Sequence, residues 1–154
     1  VTKYITLGLP GGSFSGVGAM NVNLDRWRGL SAQQRADLLR LAPFNSAAIT
    51  VNYHKAATTD IEIARARGIE IIERPDDMAA ATEAFVESDA KTIKQSFSRD
   101  FGLENIDAKY KLIEGLVEKW KDLTRDAYDD KEAMTELLWT EVFSKIDPET
   151  YGMN

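Results

Sequence analysis

The sequence predicts a helix-rich α/β fold, and three features predict it. One is a helical stretch over residues 31–67, long for a chain of 154 residues. Another is a pair of short β-forming runs, residues 2–9 and 69–73, standing on either side of that stretch. The third is a series of amphipathic segments after the second run, ending at Pro148.

Taken in order, Tyr4, Ile5, Thr6 and Leu7 are good strand formers. Gly8-Leu9-Pro10-Gly11-Gly12-Ser13 then breaks the strand, and five of the ten glycines fall between Gly8 and Gly18. A second strand is expected over residues 16–22, with Val17, Ala19 and Met20 partly buried. Asn23 is placed to cap a short helix through Trp27 that ends near Gly29.

The long helix opens on a capping box. Ser31 stands three residues before Gln34, so each side chain can satisfy a backbone donor of the first turn. Gly68 closes it, since glycine tolerates the left-handed cap conformation. Unbroken, the stretch is roughly 54 Å long at 1.5 Å per residue. Pro43 lies inside it, where a proline removes one backbone hydrogen bond and clashes with the preceding turn. Leu38, Ala42, Ile49, Tyr53, Ala56, Ile63 and Ala66 recur at helical spacing across the proline, so a kink is expected rather than a stop. Two shorter helices meeting near Pro43 are the alternative.

After Gly68, Ile69-Glu70-Ile71-Ile72-Glu73 suits a sheet and is stopped by Pro75. Asp76 or Asp77 is expected to cap a helix to about Phe101, with Phe85, Ile93, Phe97 and Phe101 in one row and Gly102 at its end. Ile106, Tyr110, Ile113, Val117, Trp120 and Leu123 alternate steps of four and three, predicting a helix over about 107–128. Asp129 with Glu132 repeats the capping spacing ahead of a last helix that carries Met134, Leu137, Leu138, Val142 and Ile146. The short link at Tyr128-Asp129-Asp130 favours an antiparallel pair, which could dock either way; packing on its own lobe is expected, because Tyr110, Ile113, Val117 and Trp120 form a stripe long enough to dock on the helix before it. A homodimer through these C-terminal helices is the alternative.

Composition narrows the function classes. With 44% hydrophobic and 29% charged residues, the chain has the makings of a real core and is not disordered. A net charge of -6 weighs against a nucleic-acid partner held through phosphates. The absence of cysteine removes disulfides, thiolate metal sites and cysteine nucleophiles. No run of about 18 apolar residues reads as a membrane span. The sequence begins at Val1 without a signal-peptide pattern, so it reads as a processed chain or a piece of a longer one.

Catalytic chemistry finds few residues to work with. The glycine-rich loop lacks the Gly-Lys-Ser/Thr ending of a phosphate loop, and no lysine lies between Lys3 and Lys55. The loop is then either a flexible connection or a backbone wall beside a small ligand. Ser13 is not in a nucleophile elbow, because Ser15 stands where the second glycine would be needed. His54, the one histidine, is mid-helix beside Tyr53 and reads as a packed or solvated residue. Asp76-Asp77 and Asp129-Asp130 read as helix starts. No catalytic residue, metal site or cofactor is expected.

The order of pieces resembles the C-terminal half of the solute-binding proteins of TRAP transporters, the DctP-type periplasmic receptors of tripartite ATP-independent systems. The residues that carry it are Lys3-Tyr4-Ile5-Thr6-Leu7, Met20-Asn21-Val22-Asn23, and Asp25-Arg26-Trp27-Arg28-Gly29-Leu30-Ser31 leading into the long helix. The end of that helix at Gly68, followed by Ile69-Glu70-Ile71 and a proline, also matches. The likeness covers about residues 2–100 and is a diffuse pattern.

The resemblance implies part of a two-lobed periplasmic-binding-protein fold of type II-like architecture, with a long helix spanning both lobes. Residues 1–101 would form the C-terminal half of that fold and residues 102–154 a helical extension. The implied function is an extracytoplasmic receptor that binds an organic acid such as a dicarboxylate and delivers it to the TRAP membrane permease subunits. The family's main carboxylate clamp is an arginine of an upstream lobe, so this chain is expected to be a fragment that needs that N-terminal lobe as a partner. The matching ligand contacts here are Gly12, Ser13 and Phe14, in the loop after the first strand. The asparagine or histidine that the family often carries near this loop is absent. A helical structural or interaction module without a ligand is the competing reading.

Overall fold

The computed structural model describes residues 2–8 and 20–154. The described chain is about 70% helical and has one small sheet. Strand β1 (Tyr4–Leu7) is followed by helices α1 (Leu24–Arg28) and α2 (Ala32–Ala66), strand β2 (Glu70–Glu73), and helices α3 (Asp76–Phe101), α4 (Ile106–Thr124) and α5 (Lys131–Glu141). A single 3-10 turn over Phe143–Lys145 ends the series. No described helix is long and apolar enough to cross a membrane. The helix-rich α/β expectation holds at this level.

The two strands pair in parallel, Tyr4 opposite Glu70 and Leu7 opposite Glu73. A parallel pair requires a crossover connection, and α1 and α2 lie within it. The strand expected over residues 16–22 is not formed at residues 20–22, which are irregular. Its remaining residues lie outside those described.

The 35-residue α2 runs through Pro43 without interruption, so the two-helix alternative fails. Both halves of its capping box form: Ser31 N donates to Gln34 Oε1 at 2.9 Å, and Gln34 N donates to Ser31 Oγ at 3.2 Å. At the other end Gly68 has φ +74°, and the N–H groups of Gly68 and Ile69 donate to the carbonyls of Arg65 and Ala64. Asn23 caps α1 by accepting from Arg26 N.

Two expected caps move by one residue. The N-cap of α3 is Pro75, with Asp76 and Asp77 in the first turn, where their charge complements the helix dipole. The N-cap of α5 is Asp130, which accepts from Ala133 N at 2.9 Å, not Asp129. The helix expected to reach residue 128 ends at Thr124 and gives way to turns.

The described residues fall into two compact units. A strand unit holds residues 2–8 and 61–120, and a tail unit holds residues 20–60 and 121–154. In the tail unit Ala47, Val51, Ala127 and Met134 form a buried cluster, with Ala133, Leu137 and Leu138 packed against it. Pro43 is fully buried there as well. Arg40 lies over the Trp139 ring and Lys131 over the Phe44 ring, so long cationic side chains cover aromatic surface that the cluster leaves open.

The residues after α5 are tied back onto α1 and α2. Trp27 Nε1 donates to Tyr151 O at 2.7 Å, and the two rings meet edge to face. Arg28 donates to the carbonyls of Gly152 and Asn154. Arg35 is almost fully buried and donates to Pro148 O at 2.6 Å and to Leu30 O.

The strand unit is built differently. Ala64 is its one buried apolar residue among those described, and neither α3 nor α4 buries a residue. The two helices meet at their junction, where Lys94 bonds Asp107 at 2.9 Å and lies over the Tyr110 ring. That hydrogen bond holds the Lys94 ammonium above the usual lysine range. Beyond the junction, packing of the α4 row on the preceding helix is not found. Tyr110 and Trp120 are half-buried, whereas Ile113 and Val117 are exposed. A row at helical spacing fixes one face, but covering it needs a partner surface of matching length.

Candidate functional site

In open parallel sheets the ligand position lies beyond the carboxyl ends of the strands, where the backbone leaves the sheet. In this chain those ends are Leu7-Gly8 on β1 and Glu73-Arg74 on β2, brought level by the Leu7–Glu73 register. Gly8 has φ +84°, a left-handed conformation that glycine adopts without a side-chain clash. A Cβ at Gly8 would lie 3.6 Å from Arg74 Cβ, in ordinary van der Waals contact with the Arg74 stem.

Arg74 is half-buried, and its Nη1 is fully enclosed without a hydrogen-bond partner. Leaving a buried donor unpaired costs about 1–3 kcal/mol, more when the donor is charged. The acids beside it in sequence do not relieve this. Glu73 is exposed at the strand end, and Asp77 accepts from Met78 N at 2.8 Å, within its own helix. Pro75 contributes no N–H and gives α3 no side-chain cap.

The sequence-predicted ligand residues Gly12, Ser13 and Phe14 lie outside the described residues. They follow Gly8 by four to six positions in the chain. Arg74 was not among the residues the sequence pointed to. Its signal was available: a basic residue directly after an apolar run and directly before a helix-starting proline, which is the carboxyl end of a strand.

His54 sits edge to face with Tyr128, ring centroids 4.6 Å apart. Asp130 is consumed as a cap and Asp77 as a first-turn acceptor. Among the described residues no group of three or more histidines or acids is placed to hold a metal ion.

The tail unit has an apolar cleft of about 540 Å³, lined by Leu24, Trp27, Leu38, Leu39, Ile146 and Tyr151 among others. No titratable side chain except the Tyr151 phenol reaches its wall, and Trp27 Nε1 is already spent on Tyr151 O. Such a wall holds apolar surface, with the Asn21 amide and the Ser46 hydroxyl as its neutral polar groups among the described residues.

Compared with family models, with curated proteins and with solved structures, the chain matches none.

Proposed function

We propose that this chain is the C-terminal part of a TRAP-type extracytoplasmic solute receptor, not an enzyme. It binds a small organic acid in the periplasm and presents it to the membrane permease subunits, with the rest of the cleft supplied by an N-terminal lobe. The observation that carries the reading is the parallel β1–β2 pair joined through α1 and the 35-residue α2. This is the order of elements whose sequence resembles the receptor family, and it leaves a glycine turn and an unpaired guanidinium together at the strand ends. The two-lobed architecture and the lobe-spanning role of α2 belong to the same proposal.

The test is a thermal-shift screen of the protein encoded by the complete reading frame against mono- and dicarboxylates. A ligand that binds only the native state raises the midpoint with concentration. A flat response to the whole panel would remove the receptor reading.

A second reading has its own observation. Phe85, Phe101 and Ile113 are more than half exposed along α3 and α4, as expected of a helical interaction module. A reading frame that lacks an upstream signal peptide and an arginine-bearing lobe would favour the module.

A further inference from the structure

We propose that the apolar cleft of the tail unit is a binding site for an uncharged, mainly apolar small molecule whose polar group meets the Ser46 hydroxyl. The inference goes beyond the receptor reading and does not rest on it, because an organic acid is the ligand class this wall is least suited to hold.

The cleft lies wholly within the tail unit. Its volume of about 540 Å³ falls within the range of small-molecule pockets, about 300–1,000 Å³. Part of its wall is fixed in advance. Trp27, Leu39 and Ala42 are buried, and Trp27 is held by its bond to Tyr151 O. Gly152 backs the same indole so closely that an added Cβ would stand 3.1 Å from the ring. The run that borders the cleft is the opposite: Met20, Val22 and Leu24 are 48%, 41% and 49% exposed. An apolar ligand takes this surface out of water, which is the favourable term in its binding.

Charge selects the ligand class. Although 29% of the chain is charged, no carboxylate, ammonium or guanidinium lines the cleft among the described residues. Residues 9–19, which precede Met20 in the sequence, contain no charged residue either. An ionised ligand entering here loses hydration with no opposite charge to replace it. One neutral group on the wall is unspent. Thr50, Thr58 and Thr59 of α2 each donate their hydroxyl to the carbonyl four residues earlier. The half-buried Ser46 hydroxyl of the same helix makes no such bond and lines the cleft.

The probe is N-phenylnaphthylamine, a neutral dye with one N–H, set against anilinonaphthalenesulfonate, the same rings carrying a sulfonate. Fluorescence titrations use the protein from the complete reading frame as wild type, Ser46→Leu, Ser46→Ala and Leu112→Ser. Wild type is expected to bind the neutral dye about tenfold or more tighter than the sulfonate, since only the neutral one enters without an unpaired charge. Ser46→Leu fills the cleft and should abolish this binding without lowering the melting temperature. Ser46→Ala should weaken it about fivefold, the loss of one neutral hydrogen bond. Leu112→Ser, on the exposed face of α4, should leave it unchanged. The proposal is overturned if wild type does not bind the neutral dye, if both dyes bind equally, or if binding survives in a folded Ser46→Leu. Unchanged affinity in Ser46→Ala overturns it too, and so does a loss confined to Leu112→Ser, which would place the dye on α4. Should Ser46→Leu melt early, Ser46→Ala and Leu112→Ser still decide. Carboxylate binding in the thermal-shift screen is a separate outcome, so either reading can fail alone.

Discussion

Met134 on α5 is 4% exposed and Ile113 on α4 is 58% exposed, although each lies on the apolar row of its helix. The difference separates the two units. In the tail unit, Ala47, Val51 and Ala127 let α2 and the segment after α4 approach closely, and Met134 fills what remains. In the strand unit, several bulky residues of α3 and α4, Phe85, Phe101, Ile113 and Val117 among them, are exposed, and Lys94 ties the two helices at their junction. An apolar row states that a helix has a face to cover. Whether the same chain covers it depends on small residues opposite, which the tail unit has.

The largest expected contrast is between two truncations. Met134→Ala should cost about 2–5 kcal/mol, the range for opening a cavity in a packed cluster. Ile113→Ala should stay within about 0.5 kcal/mol, as at an uncovered surface. Urea midpoints of the two variants decide. Comparable losses would mean that the α4 row is covered in solution, and the contrast would break.

Next is the polar counterpart. Arg35→Met removes the donors to Pro148 O and Leu30 O and should destabilise the chain by about 1–3 kcal/mol. Lys94→Met breaks a pair whose Asp107 partner is exposed and screened by solvent, and should cost less than Arg35→Met. Amide exchange should quicken over residues 148–153 in the first variant and not in the second. Unchanged protection there would show that the Trp27 and Arg28 bonds hold the tail without Arg35.

A smaller effect, of opposite sign, tests local propensity. Gly115 lies inside α4 with open space where a Cβ would go. Gly115→Ala should stabilise the helix by about 0.5–1 kcal/mol, the usual difference between these residues in a helix. Circular dichroism melting reads it out. A loss instead of a gain would reveal a close neighbour at that position.

The smallest effect is acid-dependent. Asp147 accepts from Glu149 N and Thr150 Oγ1, and these bonds, the backbone one foremost, hold its carboxyl below the ordinary aspartate value of 3.8. A depressed folded value means that the turn keeps its full contribution above pH 3.8 and loses it as pH falls below that toward the folded value. Asp147→Asn should abolish this dependence in a pH series of tail amide shifts. A wild-type tail insensitive to acid would place the restraint in the Trp27 and Arg35 bonds instead.

Local signals determined most of the elements. Ser31 and Gln34, Asn23, Gly68 and Gly102 each sit at a helix end because the backbone groups there need a side-chain acceptor or a left-handed residue, and both needs are met within a few positions of sequence. The strand-forming runs at Tyr4 and Ile71 were legible for the same reason. Even the shifts from Asp76 to Pro75 and from Asp129 to Asp130 move the cap by a single residue, the second between adjacent acids. What only the tertiary structure decided involves partners far apart in the chain. The pairing of β1 with β2, the bond from Trp27 to Tyr151 and the enclosure of Arg74 beside Gly8 each depend on where the backbone returns. Arg74 shows why the site was the harder part to see. Its charge and its place before Pro75 were in the sequence, but an unpaired donor exists only once the surrounding chain has folded around it.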